Sequence, residues 1–164
     1  WNLQLLYIDS LTDVYNRRYY DEHFRDTEDT EGVVVIDVDN FKDINDYYGH
    51  ATGDIVLQNI AKTILSCVRK TDTVIRYGGD EFVVIFYSIP ADAFKNKLER
   101  IRMLVNRLVI DEYPEIQVSI SVGGAHGLGK VKEMFNIADH MMYQAKNTKN
   151  RVFIQFLEKE TNDI

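Results

Sequence analysis

Val33-Val34-Val35-Ile36 is an unbroken apolar run that ends in Asp37-Val38-Asp39. A strand with one wet face alternates apolar and polar residues, so an unbroken run predicts a strand covered on both faces, in a chain that stacks helices against a sheet. Carboxylates at the end of such a strand are costly unless paired, solvated or bound to a cation. A second acidic cluster, Gly78-Gly79-Asp80-Glu81-Phe82, lies between two β-type runs, Thr73 to Tyr77 and Phe82 to Tyr87. This pattern predicts a tight hairpin with Gly-Gly-Asp-Glu at its tip. The glycines allow the turn and the close approach of a large ligand. Taken alone, Gly-Gly-Asp is ordinary turn chemistry. If the two strands are neighbours, however, Asp37 and Asp80 converge with Glu81 close by. Carboxylates, an exposed carbonyl and substrate phosphates are the oxygen ligands Mg²⁺ prefers.

The rest of the chain divides into alternating elements. A helix is predicted from Tyr15 to about Phe24, then an acidic loop from Arg25 to Glu31 and the first central strand from Gly32 to Val38. Thr52 is a candidate N-cap for a helix whose apolar pairs Val56/Leu57, Ile60/Ala61 and Ile64/Leu65 recur at helical spacing through Arg69. After the hairpin, Pro90 opens a helix with Phe94, Leu98, Ile101, Val105 and Leu108 on one face. Ile116, Val118, Ile120 and Val122 alternate with polar residues and predict a half-covered strand ended by Gly123-Gly124. Met134 to Ala145 reads as the last helix and Val152 to Leu157 as the last strand. The order predicts an α/β (α+β) sandwich around a mixed, mainly antiparallel sheet.

With 164 residues, 45% of them hydrophobic, the chain is expected to form a single domain with a substantial core. Trp1-Asn2-Leu3 is no signal peptide, and no apolar run approaches the roughly 20 residues needed to span a bilayer, so direct membrane insertion is not expected. Residues 1–9 read as the end of a linker helix arriving from an upstream domain. The single cysteine, Cys67, excludes an internal disulfide and fits a reducing compartment, with the cytoplasm as the expected location. A formal charge of −7 argues against binding nucleic acid as a bare polyanion. A smaller phosphate ligand remains possible if cations and a few placed lysines carry it.

The first acidic cluster continues as Asp37-Val38-Asp39-Asn40-Phe41-Lys42, and Ile44-Asn45-Asp46, Gly49-His50 and Gly53-Asp54 stand between it and the second. Asp9-Ser10-Leu11-Thr12 and Asn16-Arg17-Arg18 precede them, and Ala138-Asp139, Tyr143 and Ala145-Lys146 follow. In this order they resemble the diguanylate cyclase (GGDEF) family over nearly the whole chain. The resemblance implies a palm-like, ferredoxin-type core similar to nucleotidyl cyclases. It implies an enzyme that condenses two GTP into cyclic di-GMP and two pyrophosphates, working as a homodimer with two Mg²⁺ or Mn²⁺ ions per active site. A module that binds GTP or cyclic di-GMP and signals without turnover is the alternative.

Carried over by motif, Asp37, the carbonyl of Val38, Asp80 and Glu81 would hold metal, with Asp80 doubling as general base. Asp39 reads as a supporting residue and not a ligand. Lys42, on the loop after the strand, and Lys146 would reach phosphates. A lysine late in a helix, as Lys146 is, also complements the helix dipole with no ligand at all. Asn45 and Asp54 would read the purine, since a carboxylate accepts from the N1–H and exocyclic amine of guanine and finds no such pair on adenine. Asp54 is equally explained as an acid in a first helical turn. Phe41 and Leu57 would wall the base, His50 would lie on the ribose side, and Gly79 would give the nucleotide close approach. Arg69-Lys70-Thr71-Asp72 fits the family's inhibitory Arg-x-x-Asp motif, which implies inhibition by cyclic di-GMP, with Arg100 as a further contributor. The chain departs from the family after Ala145-Lys146. The usual Gly-Arg-Asn is replaced by Lys149-Asn150-Arg151, which leaves open whether Lys149 or Arg151 substitutes or triphosphate binding is weaker.

Overall fold

The computed structural model describes residues 3–26 and 29–158. A 3₁₀ turn at Leu3–Leu6 leads to β1 (Tyr15–Asn16), α1 (Arg17–His23), β2 (Thr30–Val38), α2 (Phe41–Tyr48) and α3 (His50–Cys67). The hairpin strands β3 (Thr73–Arg76) and β4 (Glu81–Phe86) follow, then α4 (Ala91–Asn106), β5 (Ile120–Gly129), α5 (Val131–Lys146) and β6 (Arg151–Phe156). The strands lie in the order β1-β3-β4-β2-β5-β6. Three of the five pairings, β3 with β4 and β2 with both β4 and β5, are antiparallel, whereas β1 with β3 and β5 with β6 are parallel. The mixed, mainly antiparallel sheet expected from the element order is therefore present.

β2 runs through the middle of this sheet with helices on both sides, which is why its sequence does not alternate. Val34, Ile36 and Val38 pack with α3 and α4 residues such as Val56, Ile60, Phe94 and Leu98. Val33 and Val35 face the other way, toward Tyr20 and Phe24 near α1 and Met134, Ala138 and Met142 of α5. All five residues of the run from Gly32 to Ile36 are buried.

Several expected boundaries move, each for an identifiable reason. Tyr15-Asn16 forms a short strand beside β3, and Asn16 then caps α1 by accepting from the Tyr19 N–H at 3.1 Å, so the first helix starts at Arg17. The expected linker helix over 1–9 begins outside the described residues, and the part that is described contains the 3₁₀ turn. Phe41–Tyr48 is a helix where a loop was expected. Asn45 reads equally as a turn residue, but Phe41, Ile44 and Tyr48 share one face and join the core. Lys42 thus sits in a first helical turn. Gly49, at φ 93°, makes the break before α3, so the helix begins at His50 and Thr52 is buried in the first turn instead of capping it. Helix α3 also ends at Cys67, before Arg69.

The fifth strand is displaced toward the C-terminus. Ile116 and Val118 are buried, but the ladder begins only at Ile120, opposite Val38. Gly123 and Gly124 lie inside this strand and do not end it. A Cβ on Gly123 would come within 2.0 Å of the Ala138 carbonyl oxygen and 2.2 Å of the Met142 nitrogen, so the glycine is what lets α5 lie directly on the sheet. Because both neighbours are helix backbone, they cannot turn aside. Gly123→Ala should therefore lower unfolding free energy by about 1–3 kcal/mol or more in chemical denaturation, the range for overpacking. An unchanged denaturation midpoint would show that α5 has room to shift.

Candidate active site

The site is built where β2 ends and β4 begins. Asp37 pairs with Glu81 across the ladder, and the Val38 N–H donates to the Asp80 carbonyl at 3.0 Å. Side chains alternate along a strand, so Asp37 follows Val33 and Val35 onto the α5 face, and Glu81 follows Val83 and Ile85 onto the same face. There they meet the end of α5. Lys146 Nζ lies 2.5 Å from Asp37 Oδ2, while Asp37 Oδ1 is buried with no hydrogen-bond partner. A cavity of about 360 Å³ opens beside them, lined by Asp37, Glu81, Asp139 and Lys146 with walls that include Tyr77 and Phe135.

Crowded carboxylates resist ionisation. Burial pushes Asp37 up to about 6, with Asp80 adding to the rise and Lys146 opposing it. Glu81 is pushed up to about 7 by burial and by the charges of Asp139, Asp37 and Asp80, in that order. Asp139 is raised by burial as well. Burial works against the charge on Lys146, but its bond to Asp37 and the charges of Asp37, Asp80 and Asp39 outweigh it and raise the pKa. The arrangement is a desolvated acidic pocket with one ammonium group partly compensating it, a setting that attracts further positive charge.

The hairpin tip is held from below. Arg76 donates to the Gly79 carbonyl from Nη2 at 2.8 Å and from Nε at 3.2 Å, and its Nη1 contacts both Asp9 carboxylate oxygens at 3.2 Å. Asp9 in turn accepts from the Thr12 hydroxyl and N–H. Neither glycine of the tip takes left-handed backbone, so the turn does not by itself demand glycine at either position, and of the two expected reasons the close approach of a ligand is the one left. Gly79 has open space where a Cβ would stand, with no atom within 4 Å.

A second cluster forms where α2 meets α3. Asn45 and Phe41 pack over Gly53, where a Cβ would lie 1.8 Å from Asn45 Oδ1 and 3.3 Å from the Phe41 ring. Asn45 Oδ1 is buried without a partner. Asp54 is exposed next to this cluster and His50 is exposed at the start of α3, while Leu57 is sealed in the core. Lys42 is exposed. Asp39 is buried and points away from solvent, accepting from the Ser121 and Ser119 hydroxyls at 2.6 and 2.7 Å and from the Asn150 N–H at 2.9 Å. That is the supporting part expected of it.

A third cluster is separate. The Arg69 N–H donates to Asp72 Oδ2 at 2.8 Å and its Nη2 reaches the Ser88 carbonyl at 2.7 Å, just before α4, on which Arg100 is exposed. Asp72 Oδ1 is buried and unpartnered. Sequence reasoning did not single out Arg76, Tyr77 or Phe135. Asp139 and Tyr143 were noticed as motif residues without a part to play. Tyr77 borders the Gly-Gly tip, and that adjacency was the available signal. Nothing in the sequence links Arg76 to Asp9, 67 positions apart.

Comparison with known proteins places this arrangement. The family profile described as "Diguanylate cyclase, GGDEF domain" matches residues 6–151. The chain is 39% identical over 153 residues to diguanylate cyclase DgcM of Escherichia coli (strain K12), covering 88% of this chain and 37% of that protein. It is 42% identical over 130 residues to diguanylate cyclase A of Treponema denticola, covering 76% of this chain and 35% of that protein. The chain thus spans little more than a third of the length of these relatives. Among solved structures, the coiled coil and GGDEF domain of DgcB from Caulobacter crescentus, in complex with c-di-GMP, superimposes with a TM-score of 0.84 at 29% identity, covering 93% of this chain and 87% of that one. The palm-like fold of nucleotidyl cyclases expected from the resemblance is the fold observed.

The support beneath the hairpin has a pH signature. Burial pushes the Asp9 carboxyl up, but the Thr12 hydroxyl, the charge on Arg76 and the Thr12 N–H together hold it below the ordinary carboxylate range. A folded pKa below the unfolded one contributes stability above the unfolded value, about 4, and loses it as pH falls toward the folded one. Asp9→Asn should therefore cost about 1 kcal/mol at neutral pH, a figure already reduced for partial exposure. Denaturation midpoints measured against pH should show the gap between variant and parent closing below about pH 4. A gap independent of pH would mean that charge is not what ties Asp9 to Arg76.

Proposed function

Because the chain belongs to the diguanylate cyclase (GGDEF) family, we propose that it condenses two GTP into cyclic di-GMP and two pyrophosphates, each domain of a homodimer holding one GTP. The observation that carries this reading is the register of β2 on β4, which sets Asp37 opposite Glu81 and hydrogen-bonds Val38 to Asp80. In each half of the reaction the 3′-oxygen of one GTP bonds to the α-phosphorus of the other. The bond from that phosphorus to the α–β bridging oxygen breaks, and pyrophosphate leaves. Asp80 accepts the proton from the 3′-hydroxyl. Positioning supplies much of the rate, since the two nucleotides are brought into line by two folded surfaces.

The donor set suits a divalent cation. Asp37 Oδ1 is a buried oxygen with no partner, and Asp37 and Glu81 are raised in pKa by burial first, with neighbouring carboxylate charge adding to the rise. Among the described residues no three acidic, histidine or cysteine side chains form a ready-made cage. Mg²⁺ does not require such a cage, since it usually takes one or two carboxylates together with water and substrate phosphates. Asp37, the Val38 carbonyl, Asp80 and Glu81 would hold Mg²⁺ or Mn²⁺, two per site. When bound, such ions neutralise the triphosphate and lower the pKa of the attacking hydroxyl.

The remaining residues bind and orient. Lys42, exposed in the first turn of α2, stabilises charge on the transferred phosphoryl group, and Lys146 exchanges its contact with Asp37 for a phosphate oxygen. The unpartnered Asn45 Oδ1 and the exposed Asp54 accept from guanine N–H groups. Phe41 walls the base with Leu57 beneath it, His50 lies toward the ribose, and Gly79 leaves room for the nucleotide. Arg69 and Asp72 with Arg100 bind cyclic di-GMP as inhibitor, a reading supported by the unpartnered Asp72 Oδ1. The domain acts in the cytoplasm as the output unit of a longer sensory chain. No helix among the described residues is long and apolar enough to cross a membrane, and Cys67 is a free thiol.

Incubation of concentrated, nucleotide-free protein with GTP and Mg²⁺ should yield cyclic di-GMP by chromatography, and Asp80→Ala should abolish it with the melting temperature retained. Binding of GTP without any product in the parent protein would favour the signalling module instead. Because Asp37 and Glu81 are raised to about 6 and about 7, cation binding requires removing their protons, and the metal-free protein becomes more stable as pH falls through that window. The rise in melting temperature on adding Mg²⁺ should accordingly shrink as pH drops below about 7. Arg69→Ala should leave initial rates intact and relieve inhibition at high product. An inhibition curve superimposable on the parent's would remove Arg69 from that site.

A further inference from the structure

Lys149 lies on a restrained loop between α5 and β6. Lys149 and Asn150 hold left-handed backbone at φ 66° and 50°, and Asn40, between β2 and α2, does the same at 57°. Residues with a Cβ adopt this conformation at a cost, so the surrounding structure must impose it. Here the restraints are visible. The buried Asp39 carboxylate takes the Asn150 N–H, Arg102 of α4 donates to Asn150 Oδ1 at 3.0 Å, and the Lys149 N–H returns to the Ala145 carbonyl at 2.8 Å. Together they press this loop onto the end of β2.

The consequence is where the ammonium goes. Lys149 Nζ donates to Asn40 Oδ1 at 2.6 Å, so Lys146 and Lys149 reach the same short segment from the same turn, one at residue 37 and the other at residue 40. Lys146 faces a carboxylate. Lys149 faces an amide oxygen, which does not offset its charge, and an ammonium has two further N–H donors to offer. Arg151 is different: it is exposed and donates to the Asn150 carbonyl beside it. We propose that Lys149 is a phosphate-binding residue of the nucleotide site, acting with Lys146 on the terminal phosphates of GTP, and that Arg151 has no share in this. The assignment rests on the GTP reading above and resolves which residue serves at the altered segment.

The test is equilibrium binding of 3′-deoxy-GTP, which lacks the attacking hydroxyl, and of GMP, which lacks the terminal phosphates, both with Mg²⁺. Lys149→Met keeps the stem and removes the charge. It should weaken 3′-deoxy-GTP binding by about tenfold, the scale of one charge-assisted hydrogen bond, while leaving GMP within about twofold. Lys149→Arg should retain most of the affinity, and Arg151→Ala should match the parent. If Lys149 only stitches two loops together, Lys149→Met will lower the melting temperature and weaken both nucleotides in parallel, which overturns the proposal. Undiminished binding of 3′-deoxy-GTP by Lys149→Met overturns it too. A parent protein that binds neither nucleotide would sink the GTP reading itself, an outcome distinguishable from the other two.

Discussion

The antiparallel pairing of β2 with β4 is the constraint from which the site follows. Each strand is almost wholly buried, so its register is fixed by which side chains must face which helices. A slip of one residue would turn Val33 and Val35 toward the wrong layer and carry Asp37 with them. The same alternation that sorts the valines also sends Asp37 and Glu81 to the α5 face. Hydrophobic burial, distributed along two strands, thus holds a few carboxylates where they repel one another. A loop could not hold them so firmly.

That placement has a cost that the fold tolerates. Burial is the main reason that the pKa values of Asp37 and Glu81 are raised, and the charges of neighbouring carboxylates, Asp80 for both and Asp139 for Glu81, add to it. Lys146 offsets part of it. Further support comes from outside the pocket, where Asp9 and Arg76 hold the hairpin carbonyl and Asp39 gathers two serines and the Asn150 N–H. These polar groups are largely satisfied, so they rigidify the frame. The unsatisfied oxygens of Asp37, Asn45 and Asp72 fall in the three clusters read as metal, base and inhibitor sites. Unpaired buried acceptors are uncommon in native proteins because each costs free energy, and their concentration at these places is a physical reason to look for ligands there.

Legibility in the sequence followed the range of the interaction. The core run of β2, the apolar faces of α3, α4 and α5, and the acidic hairpin were readable because their signals are local periodicities. Helix α2 was not, since Asn45 reads equally as a turn residue and its apolar face is only three residues wide. The strand at Ile116–Val122 was misplaced because burial gives Ile116 and Val118 the alternation of a strand without the ladder. Gly123 was read as a terminator when it marks a helix lying on the sheet. Contacts across the chain, such as Arg76 with Asp9 or Lys149 with Asn40, leave no periodic trace at all.

The amino-acid order alone determined that a doubly covered strand ends in acid, that a glycine-rich hairpin carries two more acids, and that both sit in a sheet-and-helix domain, because burial and turn chemistry act within a few residues. Only the tertiary structure decided that Asp37 and Glu81 share one cavity, that Lys146 enters it, and that the loop after α5 brings Lys149 and not Arg151 to the end of β2. Those outcomes depend on strand order, register and the approach of helices distant in the chain, which are set by packing over the whole core.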